Sequence, residues 1–223
     1  MSEVVHERTH GKQQPYDRNL VHDPDYESLM DDGSYERTLT QWGIVLFPWQ
    51  LFVLKVWLSV SSKAFAYLTC CLTVPRQNGK TMVIIARILL GCIVFKENQL
   101  YTAQVKTTAA KVYREIRELI KSNQKLQKYF TAEGIGSENP NVMEIVAFDP
   151  KTGARLGSCR FITRGSNSPA RGDTISVTYF DEAQILTGKI YDSVAPASLT
   201  NEGGQEFFVG TASTVEEAAG FGK

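Results

Sequence analysis

An α/β fold built round a mainly parallel sheet is predicted by three observations. Short apolar runs of strand length alternate with longer segments of helical period. One such run leads into Gly79-Lys80-Thr81 just before a helix, and a later one ends in Asp181-Glu182. In sheets of this kind ligands bind at the carboxyl ends of the strands, so both polar clusters fall where chemistry is expected.

The chain has 223 residues, 43% hydrophobic and 22% charged, which is ordinary for a globular protein. Its net charge is zero but unevenly spread. Residues 1–40 carry nine acidic and four basic side chains, leaving 20 basic against 15 acidic in the remainder. We read 1–40, which also holds all three histidines, as a polar N-terminal arm, loosely ordered unless docked, and 41–223 as one domain. Four cysteines lie in or beside apolar runs, as buried reduced thiols of a cytosolic protein do. No secretory signal opens the chain, and uncharged apolar segments such as AFAYLTCCLTVP are too short to span a bilayer. No membrane association is expected.

In order, PWQLFVLKVWLSV (48–60) has helical spacing, with Pro48 suited to a first turn. AYLTCCLTV (66–74) reads as a buried strand, and KTMVIIARILLGCIVF (80–95) as a helix covered nearly all round. QLYTAQ (99–104) is a second strand. The next helix gathers Val112, Ile116, Leu119 and Ile120 on one face, with Lys111–Glu115 and Arg114–Glu118 spaced for i,i+4 pairing. Residues 142–163 form a hairpin turning at 149–153. ISVTYF (175–180) is another buried strand, a helix covers part of 188–199, and QEFFVG (205–210) is a last strand.

The stretch TVPRQNGKT (73–81) has the context of a phosphate-binding loop: strand, loop, helix. There backbone N–H groups and the helix N-terminus cradle an anion, lysine reaches the β- and γ-phosphates, and the Ser/Thr hydroxyl holds Mg²⁺. The usual opening glycine is missing, since Val74 stands in its place. A Gly-Lys-Ser/Thr arises by chance in roughly one chain of this length in ten, so the tripeptide alone decides little. The decision comes from VTYFDEAQ (177–184). At a strand's end Asp181 can hold Mg²⁺ through water, and Glu182 can orient and deprotonate an attacking water.

Taken together these motifs resemble the large terminase subunits of tailed double-stranded-DNA bacteriophages, over roughly residues 44–214. VPRQNGKT looks like that family's deviant Walker A, which implies phosphate contact in cis by Arg76, a cradle of Gln77, Asn78 and Gly79, a phosphate clamp at Lys80 and an Mg²⁺ ligand at Thr81. FPWQ (47–50) is similar to the adenine-reading motif, with Gln50 on the base, and YFDEAQ matches Walker B plus the catalytic glutamate. GTAST (210–214) looks like the coupling motif that senses the γ-phosphate, through Thr211, Ser213 and Thr214. SPARGDT (168–174) is similar to the segment carrying an arginine finger into a neighbouring subunit, which points to Arg171, with Arg164 in reserve.

The resemblance implies a P-loop NTPase of the ASCE type with an inserted β-hairpin. It implies an ATPase using ATP and Mg²⁺ to move double-stranded DNA into a procapsid, in the host cytoplasm. Portal, small terminase subunit and a homo-oligomeric ring are the implied partners. Terminase large subunits also carry a C-terminal nuclease domain; residues up to Lys223 contain nothing of it, so cleavage is not expected of this chain. The resemblance also implies a later strand beside the Walker A strand, which is not expected within these residues. The nearest alternatives are a helicase-like DNA translocase with the same core, and a nucleotide-gated assembly module with little turnover.

Several features read as coincidence. HERTH (6–10) spells a zinc-protease signature, but in a polar arm followed at once by Gly11. Arg171-Gly172-Asp173 spells an adhesion tripeptide. The basic residues Lys106, Lys111, Arg114, Arg117, Lys121, Lys125 and Lys128 suit either a solvated helix face or DNA phosphates.

Overall fold

The computed structural model of the chain describes residues 26–61, 64–130, 143–164, 174–188, 191 and 204–211. Nine strands form two sheets among these residues. The small antiparallel sheet joins β1 (Glu27–Ser28), β2 (Ser59–Ser61) and β3 (Ala64–Phe65) in chain order. The central sheet contains β4 (Thr69–Thr73), β5 (Asn98–Ala103), β6 (Met143–Phe148), β7 (Arg155–Thr163), β8 (Val177–Asp181) and β9 (Gln205–Gly210). Their order is β4-β9-β8-β5-β7-β6, and every neighbouring pair is parallel except β6–β7. That pair is the expected hairpin. Asp149 closes it, its carboxylate accepting from Lys151 N and Thr152 N.

Strand side chains alternate between faces. Cys70, Gln99, Tyr101, Tyr179 and Phe207 face one side, where α2 (Pro48–Trp57), α3 (Lys80–Leu90) and α4 (Lys106–Ser122) cover them in the main core. Trp57 of α2 packs on Phe207, and Tyr113 of α4 on Phe161. The other face carries a smaller cluster of Leu100, Ile175 and Phe180, with Phe208 stacked on Phe180. The helix expected over 188–199 lies almost wholly outside the described residues.

Three elements differ from the sequence reading. β4 is an edge strand with Thr69, Cys71 and Thr73 exposed, rather than buried on both faces. The helix from Lys80 stays α-helical only to Leu90 and ends in a wide π turn, Gly91–Phe95. A Cβ on Gly91 would collide with both Gln99 Nε2 and Glu97 Oε2, so only glycine lets the turn lie this close to β5. Residues 26–40, expected within the polar arm, are docked here. α1 (Ser34–Gln41) buries Leu39 at 1% exposure, and Lys55 of α2 pairs with Asp31.

Inside the core, the guanidinium of Arg87 on α3 makes a bidentate pair with Glu97 at 2.7 and 2.8 Å. It also donates to Gln205 Oε1, and it lies over the rings of Phe65, Phe95 and Phe207. Gln205 Nε2 in turn donates to Trp57 O and Tyr67 O. This network fixes α3, the helix behind the phosphate loop, against β9 and α2.

Candidate nucleotide site

The site begins where β4 ends. Val74 N donates to Gly210 O of β9, and the chain then turns through residues 75–79 into α3. Gln77 at φ 63° and Gly79 at φ 82° are both left-handed, the kind of backbone from which anion-binding nests are built. No side chain caps α3, so its first N–H groups are left for a ligand. Asn78 steadies the loop by donating to Pro75 O at 3.4 Å, while Arg76 and Gln77 are exposed. Lys80 and Thr81 stand half-buried in the first turn.

Gln50 is 2% exposed and holds the loop from behind. Its Oε1 accepts from Phe47 N at 2.7 Å, closing the first turn of α2, and its Nε2 donates to Gly79 O at 2.8 Å. A Cβ on Gly79 would meet that nitrogen at 2.8 Å, so the glycine is needed for contact as well as for its backbone angle. Gln50 is thus a strut between α2 and the phosphate loop.

Two strands further on, Asp181 ends β8 at 4% exposure. Its Oδ2 accepts from the Tyr101 hydroxyl at 2.5 Å and its Oδ1 from Glu182 N at 2.8 Å. Burial first, then the Asp181 carboxylate, pushes the Tyr101 phenol far above its usual range, so it stays a donor. Glu182 sits in left-handed backbone, φ 55° and ψ 42°, a conformation that costs a non-glycine residue of order 1 kcal/mol or more. Its carboxylate is drawn towards the next strand, accepting from Gln104 N at 3.1 Å and from Thr108 Oγ1 of α4 at 3.4 Å.

Between these halves lies β9. Thr211, just past its end, accepts from Lys80 Nζ at 3.3 Å, and its N–H donates to Gln184 Oε1. The structure therefore brings Gln50, Gly79, Lys80, Thr211, Asp181 and Glu182 to one edge of the sheet. Arg171, Ser213 and Thr214 lie outside the described residues, as do the HERTH stretch and His22. Tyr101, Gln104, Thr108 and Gln184 were not anticipated. Gln184 lay within the quoted motif, whereas the other three depend on the β5–β8 pairing, which no local signal announces.

Among the described residues no three His, Cys, Asp or Glu side chains gather as a metal cage. A hydroxyl at Thr81 and a carboxylate at Asp181 suit Mg²⁺, which keeps several waters and takes phosphate oxygens. No helix among the described residues is long and apolar enough to cross a membrane.

A parallel sheet with one strand inserted between the loop strand and the acidic strand is the arrangement of an α/β P-loop NTPase fold. Solved structures agree. The large terminase of bacteriophage HK97 superposes with a TM-score of 0.58 at 15% identity, over 74% of this chain and 33% of that one. The large terminase ATPase domain of Thermus phage P74-26 gives 0.55 at 14%, over 81% and 70%. A large terminase from a thermophilic bacteriophage, solved in complex with ADP, gives 0.54 at 15%, over 74% and 39%. Phage T4 UvsW gives 0.53 at 10%, over 87% and 38%. No family model matches the sequence, and no curated protein does. The chain has the fold of a large terminase ATPase domain, and it spans about a third of the HK97 protein's length.

Proposed function

We propose that this chain is the ATPase motor domain of a phage large terminase, hydrolysing ATP to drive double-stranded DNA into a procapsid. The observation that supports this best is the convergence of Lys80, Thr211, Asp181 and Glu182 at the ends of adjacent strands. The loop N–H groups and Lys80 bind the phosphates, with Arg76 free to add a contact. One Nε2 hydrogen of Gln50 remains for the adenine. Thr81 and Asp181 would hold Mg²⁺, which would supply charge neutralisation at the phosphates. A water attacks the γ-phosphorus and gives its proton to Glu182 as the bond to ADP breaks. Gln104 N and Thr108 orient the Glu182 carboxylate with one hydrogen bond to each oxygen, which leaves lone pairs open to take the proton. Thr211 couples the phosphate to β9. Arg171 from a neighbouring subunit supplies further charge, which makes a homo-oligomeric ring the working form, with portal and small terminase subunit as partners.

Hydrolysis tests the reading. Wild type should turn over Mg²⁺-ATP, and Glu182→Gln should keep ATP bound but lose at least about 10²-fold in rate, because an amide cannot take the proton. Equal hydrolysis by the two proteins would remove Glu182 from the chemistry. The similarity to T4 UvsW, a helicase-like protein, favours a second reading as a DNA translocase outside packaging. Stimulation by procapsids together with DNA favours the packaging motor, and stimulation by DNA alone the translocase.

A further inference from the structure

Arg164 follows β7 directly and is 6% exposed. None of its three guanidinium nitrogens has a hydrogen-bond partner among the described residues. Burial makes its charge costly, and the carboxylates of Glu182 and Asp181 offset only part of that, so its hold on the proton is weakened. Both carboxylates are near enough to act on its charge, yet neither hydrogen-bonds to it and each accepts from other donors. A buried cation left open in this way among the described residues is suited to an anionic ligand.

Its place in the sheet says which anion. Ala103 of β5 pairs with Thr163 of β7, and Arg164 N donates to Ala103 O. On the other side of β5, Thr102 pairs with Phe180, and Gln104 N donates to Glu182. Glu182, Gln104 and Arg164 therefore stand in a row at the ends of three adjacent strands. The side-chain Oε1 of Gln104 is a second buried atom without a partner among the described residues. An open donor fork and an open acceptor flank the carboxylate proposed to activate water. At 6% exposure Arg164 is better placed to serve its own chain than a neighbour.

Resting on the ATPase reading above, we propose that Arg164 is a ligand of the terminal phosphoryl group bound in its own chain. It donates to the phosphoryl oxygens from the β7 side, across from Lys80, while Gln104 Oε1 accepts a hydrogen from the attacking water. A planar guanidinium fork matches phosphate oxygens in pairs, which a lysine does not. ADP lacks the group that Arg164 would hold.

Equilibrium titration of the full chain with Mg²⁺-ADP and Mg²⁺-ATPγS, at concentrations where it is monomeric, separates the possibilities. Arg164→Ala should leave the ADP affinity within about twofold of wild type and weaken ATPγS at least about tenfold. Aluminium fluoride should tighten ADP binding by wild type, and Arg164→Ala should abolish that gain. Arg164→Lys, which keeps the charge and guards against a folding defect, should fall between, with an unchanged melting temperature. Equal losses for ADP and ATPγS would make Arg164 a structural residue, and no change for either would remove it from the site. Failure of wild type to bind either nucleotide would overturn the ATPase reading itself, an outcome distinct from those two.

Discussion

Cysteines show how far side-chain environment can be read one residue at a time. Apolar surroundings predict buried thiols, and Cys70, Cys92 and Cys159 are buried. Burial pushes the Cys70 thiol up to about 12, and it raises those of Cys92 and Cys159 well above the usual range. Cys71 is exposed because β4 lies at the sheet's edge with one face open. A thiol reagent at pH 8 should therefore label one equivalent quickly in the native protein, lost in Cys71→Ser, and the other three only on unfolding. Rapid native labelling of more than one thiol would contradict this packing. The proposed catalytic residues follow the same rule. Lys80, Asp181 and Glu182 were legible because each ends a recognisable local pattern. Tyr101, Gln104 and Thr108 were not, because their contacts depend on which strands become neighbours. Gln50 was legible as a position, but its hold on Gly79 was not.

At the scale of elements, periodicity located the helices and strands, and the errors have physical causes. Hydrophobic content cannot tell a central strand from an edge strand, so β4 was read as buried on both faces. A continuous apolar run cannot announce the π turn at Gly91, which arises from contact with Glu97 and Gln99. Of the two i,i+4 pairs suggested for α4, Lys111–Glu115 forms at 3.8 Å, whereas Glu118 pairs with Lys121 at 3.0 Å and Arg114 donates to Ala110 O. Composition made 1–40 an arm because its few apolar residues are diluted by acids, yet Met30 and Leu39 enter the main core. Leu39→Ala should cost about 2–5 kcal/mol of unfolding free energy, the range for a truncated buried leucine. Chemical denaturation measures it. A loss under about 0.5 kcal/mol, the size of an ordinary surface substitution, would return α1 to the arm.

For the whole molecule, the proposed mechanism calls for more than one chain. In it Lys80 and Mg²⁺ would neutralise only part of the charge on a departing γ-phosphate, and a trans arginine is worth roughly 10³–10⁵ in rate where it operates. SPARGDT is a Pro- and Gly-bearing stretch suited to a surface turn. Arg171 in it is the proposed donor to a neighbour, which separates its role from that of the buried Arg164. Specific ATPase activity should therefore rise with protein concentration. Arg171→Ala mixed with Glu182→Gln should regain activity, because the first chain keeps Glu182 and receives Arg171 from the second. Activity per chain that is independent of concentration, with a dead mixture, would place no arginine in trans. Beneath all of this lies one claim, that the loop after β4 binds ATP. Thermal melting with and without Mg²⁺-ATP tests it most directly. At a hundredfold excess over Kd a native-state ligand adds about 2.7 kcal/mol, or roughly 5–10 °C for a chain this size. Wild type should show that shift, and Lys80→Ala should lose most of it while melting normally without nucleotide. An equal shift in both proteins would contradict the account.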